Sequence, residues 1–379
     1  MTYIAKSLDT YAKLKMLSQD SRYDLACSCA TGKDEHRKRS IDDKWIYPVA
    51  MGNGRSTFLF KTLLSNHCLN DCRYCPLRLN SDIRRCSLSP EELARAFFSY
   101  YRRGKVSGLF LSSGVVKGAD NTMEYINRTA LLLRRQRFSG YIHLKIIPGA
   151  SEASIRQSLS LASAVSLNIE APAEECFRTL STSKNYLKDI VSKIELISRL
   201  IKNSAYRRKI KHTTQFVVGA SSESDREIVS CSWRLYKGLE LNRVYFSAYQ
   251  RGAGAFDLPG ESSKHSNKDL LMREHRLYQT DWLIRKYGFK FEEIPFESDG
   301  SLSLTVDPKQ SWADKHPEFF PVDINKDDKS RLIRVPGIGQ VMVERILAFR
   351  KQGVKIKTLQ NLGQRKRLYK KSEKYLILG

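Results

Sequence analysis

From Phe58 onward, six short runs rich in strand-forming residues recur along the chain: Phe58 to Leu64, Leu109 to Ser112, Ile142 to Ile147, Val165 to Glu170, Gln215 to Val218 and Val244 to Tyr249. Segments of helical period separate them. In Ser89-Pro90-Glu91-Glu92, Ser89 can cap a helix, Pro90 suits its first turn and Glu92 completes a capping box. Asn121 to Arg137 and Asn185 to Lys202 carry the same amphipathic pattern. Strands that alternate with helices in this way lie parallel and are joined by right-handed crossovers, because each helix returns the chain across the sheet. The pattern predicts an α/β fold, either a βα barrel or an open doubly wound sheet, and six units fit a partial (βα)6 TIM-like barrel best.

Beyond the strands, His265 to Tyr287 predicts a long, strongly charged helix. Asp307 to Val322, with Pro308, Pro317 and Pro321, is expected to be a linker. Lys326 to Arg350 predicts two helices joined by the tight segment Val335-Pro336-Gly337-Ile338-Gly339, with a third, basic helix after them. The expected division is an N-terminal extension over 1–55, the partial barrel over 56–300, the linker over 301–325 and a small all-α domain over 326–379.

Hydrophobic residues make up 41% of the 379 and charged residues 28%, a balance that supports a packed core and excludes disorder as the main state. The longest apolar stretches are broken by serines and fall short of the ~18 residues a membrane span needs. Met1 to Leu17 has no uninterrupted hydrophobic segment with a cleavage site, so a cytoplasmic location is expected. Lys and Arg number 65 against 40 Asp and Glu, a net charge of +25. From Lys326 to Gly379 there are 15 basic and 4 acidic residues, and charge so concentrated favours a nucleic-acid partner. A solvated face that aids solubility, or an anionic membrane surface, is the alternative.

In a reducing compartment the eight cysteines persist as thiols. Cys68, Cys72 and Cys75 stand as C-L-N-D-C-R-Y-C directly after the first strand, where a short loop can turn three thiolates onto one centre. Three ligands leave one iron of a four-iron cluster without a protein donor, whereas clusters used for electron transfer normally receive four. Zinc is the alternative, with His67 or another cysteine as fourth ligand, but no second C-x2-C pair exists among Cys27, Cys29, Cys86, Cys176 and Cys231. Cys176 and Cys231 are expected to be buried small hydrophobes, and Cys86 to pack before the first barrel helix. Cys27 and Cys29 leave an auxiliary cluster or a redox pair open.

The C-x3-C-x2-C spacing, with aromatic Tyr74 before the third cysteine, resembles the signature of the radical S-adenosylmethionine (radical SAM) superfamily. The resemblance implies a [4Fe-4S] cluster on Cys68, Cys72 and Cys75 that reductively cleaves SAM to methionine and a 5′-deoxyadenosyl radical, fed by a reductant such as flavodoxin or ferredoxin. It also implies that Tyr74 lies beside the adenine. In a parallel barrel the site forms at the carboxyl ends of the strands. There Ser112-Ser113-Gly114 resembles the superfamily's Gly-Gly-Glu turn that receives the amino group of SAM, with two serines and no Glu. Asn168 and Glu170 would lie near the ribose or methionyl end, and Gly219 would permit close backbone approach to adenine. Tyr249 and Arg251, ahead of Gly252-Ala253-Gly254, would form a substrate-facing lip. His143 and Lys145 alternate on the third strand and either point into the barrel or fill its core.

Leu332 to Gly339, followed by Val341, Val343, Ile346 and Leu347 at helical spacing, resembles a helix-hairpin-helix DNA-binding element. Gly337 and Gly339 would let the backbone approach a phosphate, and Arg365, Lys366, Arg367, Lys370 and Lys371 would extend the contact. An ordinary αα-hairpin with a glycine turn is the alternative. Together with Tyr23 to Cys27, Leu109 to Gly114, Ile142 to Ala150, Thr214 to Asp225 and Arg273 to Trp282, these features resemble a bacterial family described as DNA modification or repair radical SAM proteins, often associated with a uracil-DNA glycosylase-like partner. That resemblance implies an enzyme that modifies or repairs a nucleotide in DNA. The alternatives are a DNA-binding scaffold whose structural metal centre recruits a glycosylase, and an RNA-modifying radical SAM enzyme.

Overall fold

The structure is a computed structural model that describes residues 8–23, 45–50, 56–203, 210–362 and 371–379. Cys27, Cys29, Arg365, Lys366, Arg367 and Lys370 lie outside the described residues.

Each of the six expected runs holds a strand: β2 (Ser56–Leu63), β3 (Gly108–Ser112), β4 (Tyr141–Lys145), β5 (Ala164–Ser166), β6 (Lys211–Val218) and β7 (Arg243–Ala248), ahead of which stands β1 (Ile46–Ala50). β2 to β7 pair in parallel and in chain order, with β1 antiparallel on the free edge of β2. Sequential parallel order curls the sheet, and among the described residues no pairing joins β1 to β7, so the barrel is partial. The register brings strand ends level, with Leu63 opposite Ser112, Lys145 opposite Ser166 and Val218 opposite Ala248. β3 is buried along its whole length, as a parallel strand covered on both faces must be. β1 was not expected from sequence. Its Pro48 cannot donate to a ladder, which disguises a strand, but an edge strand tolerates it.

The helices are α1 (Thr10–Asp20), α2 (Pro90–Arg102), α3 (Ala119–Arg135), α4 (Glu152–Leu161), α5 (Glu174–Leu180), α6 (Ser192–Lys202), α7 (Asp225–Leu239), α8 (Pro259–Ser262) and α9 (Asn267–Tyr287). The capping box is formed: the Glu92 N–H donates to Ser89 Oγ at 3.1 Å and the Ser89 N–H to Glu92 Oε2 at 2.8 Å. This stabilises the start of α2 by about 1 kcal/mol. Its apolar face buries Leu93, Ala94, Phe97 and Phe98, and Phe97 meets Phe138 edge-on at 4.9 Å.

The chain divides into two compact units, Met1–Glu223 with Arg234–Glu274, and Ser224–Trp233 with His275–Gly379. In the second lie α10 (Pro308–Lys315), β8 (Val322–Asp323), α11 (Lys329–Leu332), α12 (Gln340–Lys351) and β9 (Leu376–Ile377). The stretch expected to be a linker therefore carries a helix. Pro308 occupies its first turn behind the Asp307 cap, so this proline starts structure rather than breaking it. Trp312 is 4% exposed and packs on Phe289 at 5.4 Å and Phe319 at 5.1 Å. β8 and β9 form a two-residue parallel pair in a region otherwise helical or irregular. Among the described residues no helix is long and apolar enough to cross a membrane.

Candidate active site and helix-hairpin-helix element

Past Leu63 the chain leaves the barrel into the cysteine loop, whose backbone is tied down along its length. The Leu69 N–H donates to the Val115 carbonyl at 2.9 Å, the Arg73 N–H to Leu180 at 2.8 Å and the Cys75 N–H to Cys72 at 2.8 Å. Asp71 fastens the loop from outside, accepting from Ser181 Oγ at 2.5 Å, Ser183 Oγ at 2.6 Å and the Thr182 N–H at 2.9 Å. Burial pushes its carboxyl up, but these bonds outweigh that and hold it well below its ordinary value. At Gly114 an added Cβ would stand 2.2 Å from the His67 carbonyl, so only glycine lets the turn after β3 press against the loop.

One cavity opens at the carboxyl ends of the strands. Cys68, Cys72, Tyr74 and Cys75 line it from the loop, and Ser112, Ser113 and Gly114 from the turn after β3. Lys145, Asn168, Glu170 and Tyr249 line it from β4, from beyond β5 and from beyond β7. Cys72 is buried, while Cys68 and Cys75 are partly exposed. Gly219 and Arg251 are not among the lining residues. Gly219 has φ of +87° and its N–H donates to buried Glu223 Oε1 at 2.6 Å. Arg251 donates to the Ser263 carbonyl. Tyr249 donates its hydroxyl to Glu261, which the Gly252 N–H also reaches at 2.8 Å. His143 fills the core, bonded to Ser166 Oγ at 2.9 Å and against the Phe110 ring at 4.5 Å.

Glu170 adopts a left-handed conformation, φ +66°, rare for a residue with a side chain and held here by β6. Its N–H donates to the Gln215 carbonyl at 3.0 Å and its carbonyl accepts from Val217 at 2.9 Å. The strained backbone puts a carboxylate into the cavity wall, 7% exposed. Lys184, which sequence reasoning missed, lines the same cavity. Burial disfavours its ammonium, but the Cys72 and Glu170 charges outweigh burial and raise its pKa. Burial pushes the Cys72 thiol up, and Lys184 opposes that shift. The Tyr74 hydroxyl is driven well above its ordinary range by burial and then by the Glu170 charge. No motif marks Lys184, because its role arises from contacts across the fold.

Among the described residues no group of three His, Cys, Asp or Glu side chains is arranged to clasp a single metal ion. His67 is exposed. The three thiols instead border the open cavity beside a lysine. This soft donor set suits an iron–sulfur cluster, with room left for a ligand.

In the second unit, the segment between α11 and α12 turns at Gly337, φ +85°. Gly339 is the N-cap of α12 in an extended conformation, and a Cβ on it would lie 3.0 Å from Tyr287 Oη. Leu332, Val335, Ile338, Val343 and Ile346 are all buried, so the two helices share an apolar core. Lys371, expected to extend a phosphate contact, pairs with Asp307.

No curated protein sequence matches the chain. Among solved structures, the FeFe-hydrogenase maturase HydG from Carboxydothermus hydrogenoformans is 18% identical with a TM-score of 0.46, over 58% of this chain and 50% of that one. Methylornithine synthase (PylB) is 16% identical with a TM-score of 0.43, over 59% and 63%. The structure described as native anSMEcpe with bound AdoMet is 15% identical with a TM-score of 0.41, over 60% and 61%. The matches thus span about half to three-fifths of those chains. Residues 319–374 match the family described as "Helix-hairpin-helix motif".

Proposed function

We propose that the chain is a radical SAM enzyme that reductively cleaves SAM at a [4Fe-4S] cluster on Cys68, Cys72 and Cys75, and modifies or repairs a nucleotide in DNA gripped by its helix-hairpin-helix element. One observation carries the first half: three cysteines at C-x3-C-x2-C spacing border a single cavity into which the carboxyl ends of the parallel strands also open. When bound, the cluster and SAM would supply one-electron cleavage chemistry, with flavodoxin or ferredoxin as the class of reductant. The protein's part is positioning. Gly114 lets the loop and the turn after β3 close together. Lys184 and Glu170 offer opposite charges to the amino-acid end of SAM, and Tyr74 offers an aromatic face to its adenine. Tyr249 lies toward the substrate side.

The DNA half of the reading is supported by the matched hairpin and by the concentration of basic residues after Lys326. A base in a duplex must be flipped out to reach a barrel mouth, at a few kcal/mol and least for damaged DNA, so damaged or single-stranded DNA is the favoured substrate class. A uracil-DNA glycosylase-like protein is the partner this reading implies. Replacing Cys68, Cys72 and Cys75 by Ala should abolish both iron incorporation and SAM cleavage, measured as iron per chain and 5′-deoxyadenosine formed. Full turnover in the variant would refute the assignment.

A further inference from the structure

Lys309 belongs to the first turn of α10 and is 8% exposed. Its ammonium donates to the Ile338 carbonyl inside the hairpin turn and lies 4.8 Å from the centre of the Tyr287 ring. The hydroxyl of that same tyrosine lies beneath Gly339. Other carbonyls of the turn are engaged within the protein as well. Val335 accepts from the Ile338 N–H at 3.1 Å, Pro336 from Ser372 Oγ at 2.8 Å and Gly339 from the Val343 N–H at 3.0 Å. A turn whose carbonyls are so occupied turns few acceptors toward an approaching anion. Burying an ammonium is costly, and a methylene chain would fill the space without that cost.

We propose that Lys309 is a positioning residue for nucleic-acid phosphate: it holds the Ile338 carbonyl inward from below and so sets the shape of the hairpin turn that meets the phosphate. The inference rests on the DNA-binding reading above. Lys309 faces Asp307 on its own element, Lys371 from the C-terminal segment, Arg334 from the residues before the turn, and the Tyr287 ring from α9. Asp307 is already engaged by Lys371 and by the Gln310 N–H. Burial lowers the Lys309 ammonium to about 7. A phosphate at the turn favours the protonated form, so binding takes up a proton and weakens as pH rises through neutrality.

The test is fluorescence anisotropy of a labelled oligonucleotide on the full chain without cofactor, at pH 6.5 and 8.5 and over a salt series, for the wild type, Lys309→Arg and Lys309→Met. The wild type should bind several-fold more weakly at pH 8.5. Lys309→Arg should keep the low-pH affinity at both pH values. Lys309→Met should bind about tenfold more weakly at pH 6.5, the worth of one charge-assisted hydrogen bond, and show no pH response. Its salt slope should match the wild type's, since a buried lysine neutralises no phosphate. Wild-type affinity in Lys309→Met, or a pH response that persists in both variants, overturns this inference alone. A reduced salt slope in Lys309→Met overturns it in favour of direct phosphate contact. Absence of binding by the wild type overturns the DNA reading and this inference with it.

Discussion

A methyl group on Gly114 would meet the His67 carbonyl at 2.2 Å, one residue ahead of the first cysteine, so backbone and not a flexible side chain would have to yield. Gly114→Ala should therefore displace the loop and sharply reduce iron loading, while oligonucleotide affinity stays as in the wild type. Normal loading would contradict the packing argument. Asp71 makes a separate prediction, because its bonds tie the loop to residues 181–183. Asp71→Ala should cost about 1–3 kcal/mol in denaturant unfolding near neutral pH. The folded carboxyl titrates below its ordinary value of 3.8, so its contribution is complete above that value and is lost as pH falls below it. The gap between variant and wild type should narrow on acidification, and a gap that widened would rule out the carboxylate as its source.

Among the elements, the parallel strands were legible because each is a short apolar run bounded by helical period, and the start of α2 because its cap is local chemistry. Ser89→Ala should cost about 1 kcal/mol of stability and leave iron loading unchanged. A cost near zero would mean that the box is not formed in solution. β1 was hidden by Pro48, and α10 by a proline that begins a helix as readily as it ends one. Asn185 to Lys202 was expected to be one helix, but it opens with a π-helical segment over Tyr186–Val191 before α6. The candidate site divides in the same way. The cysteine loop, Tyr74, the Ser112 to Gly114 turn, Asn168 and Glu170 were found from spacing and from position at strand ends, and all of them border the cavity. Gly219 and Arg251, chosen by the same positional rule, do not, because buried Glu223 and the Ser263 carbonyl engage them. Lys184 and Lys309 were not legible, since each acquires its meaning from groups distant in sequence.

At the scale of the whole molecule, the chain joins a partial barrel with a cysteine-lined cavity to a helix-hairpin-helix element, under a net charge of +25. The two proposed activities, SAM cleavage at the barrel cavity and nucleic-acid binding at the hairpin, are separable, and the proposed function requires that one chain couple them. The most direct measurement is anaerobic. The protein is reconstituted with iron and sulfide, then supplied with SAM and a chemical reductant, with and without single-stranded or damaged DNA, and 5′-deoxyadenosine is quantified. 5′-Deoxyadenosine should form, and DNA should increase its yield. A fully loaded cluster that forms none would contradict the enzyme reading and leave a DNA-binding scaffold in its place, and formation that DNA leaves unchanged would contradict the coupling.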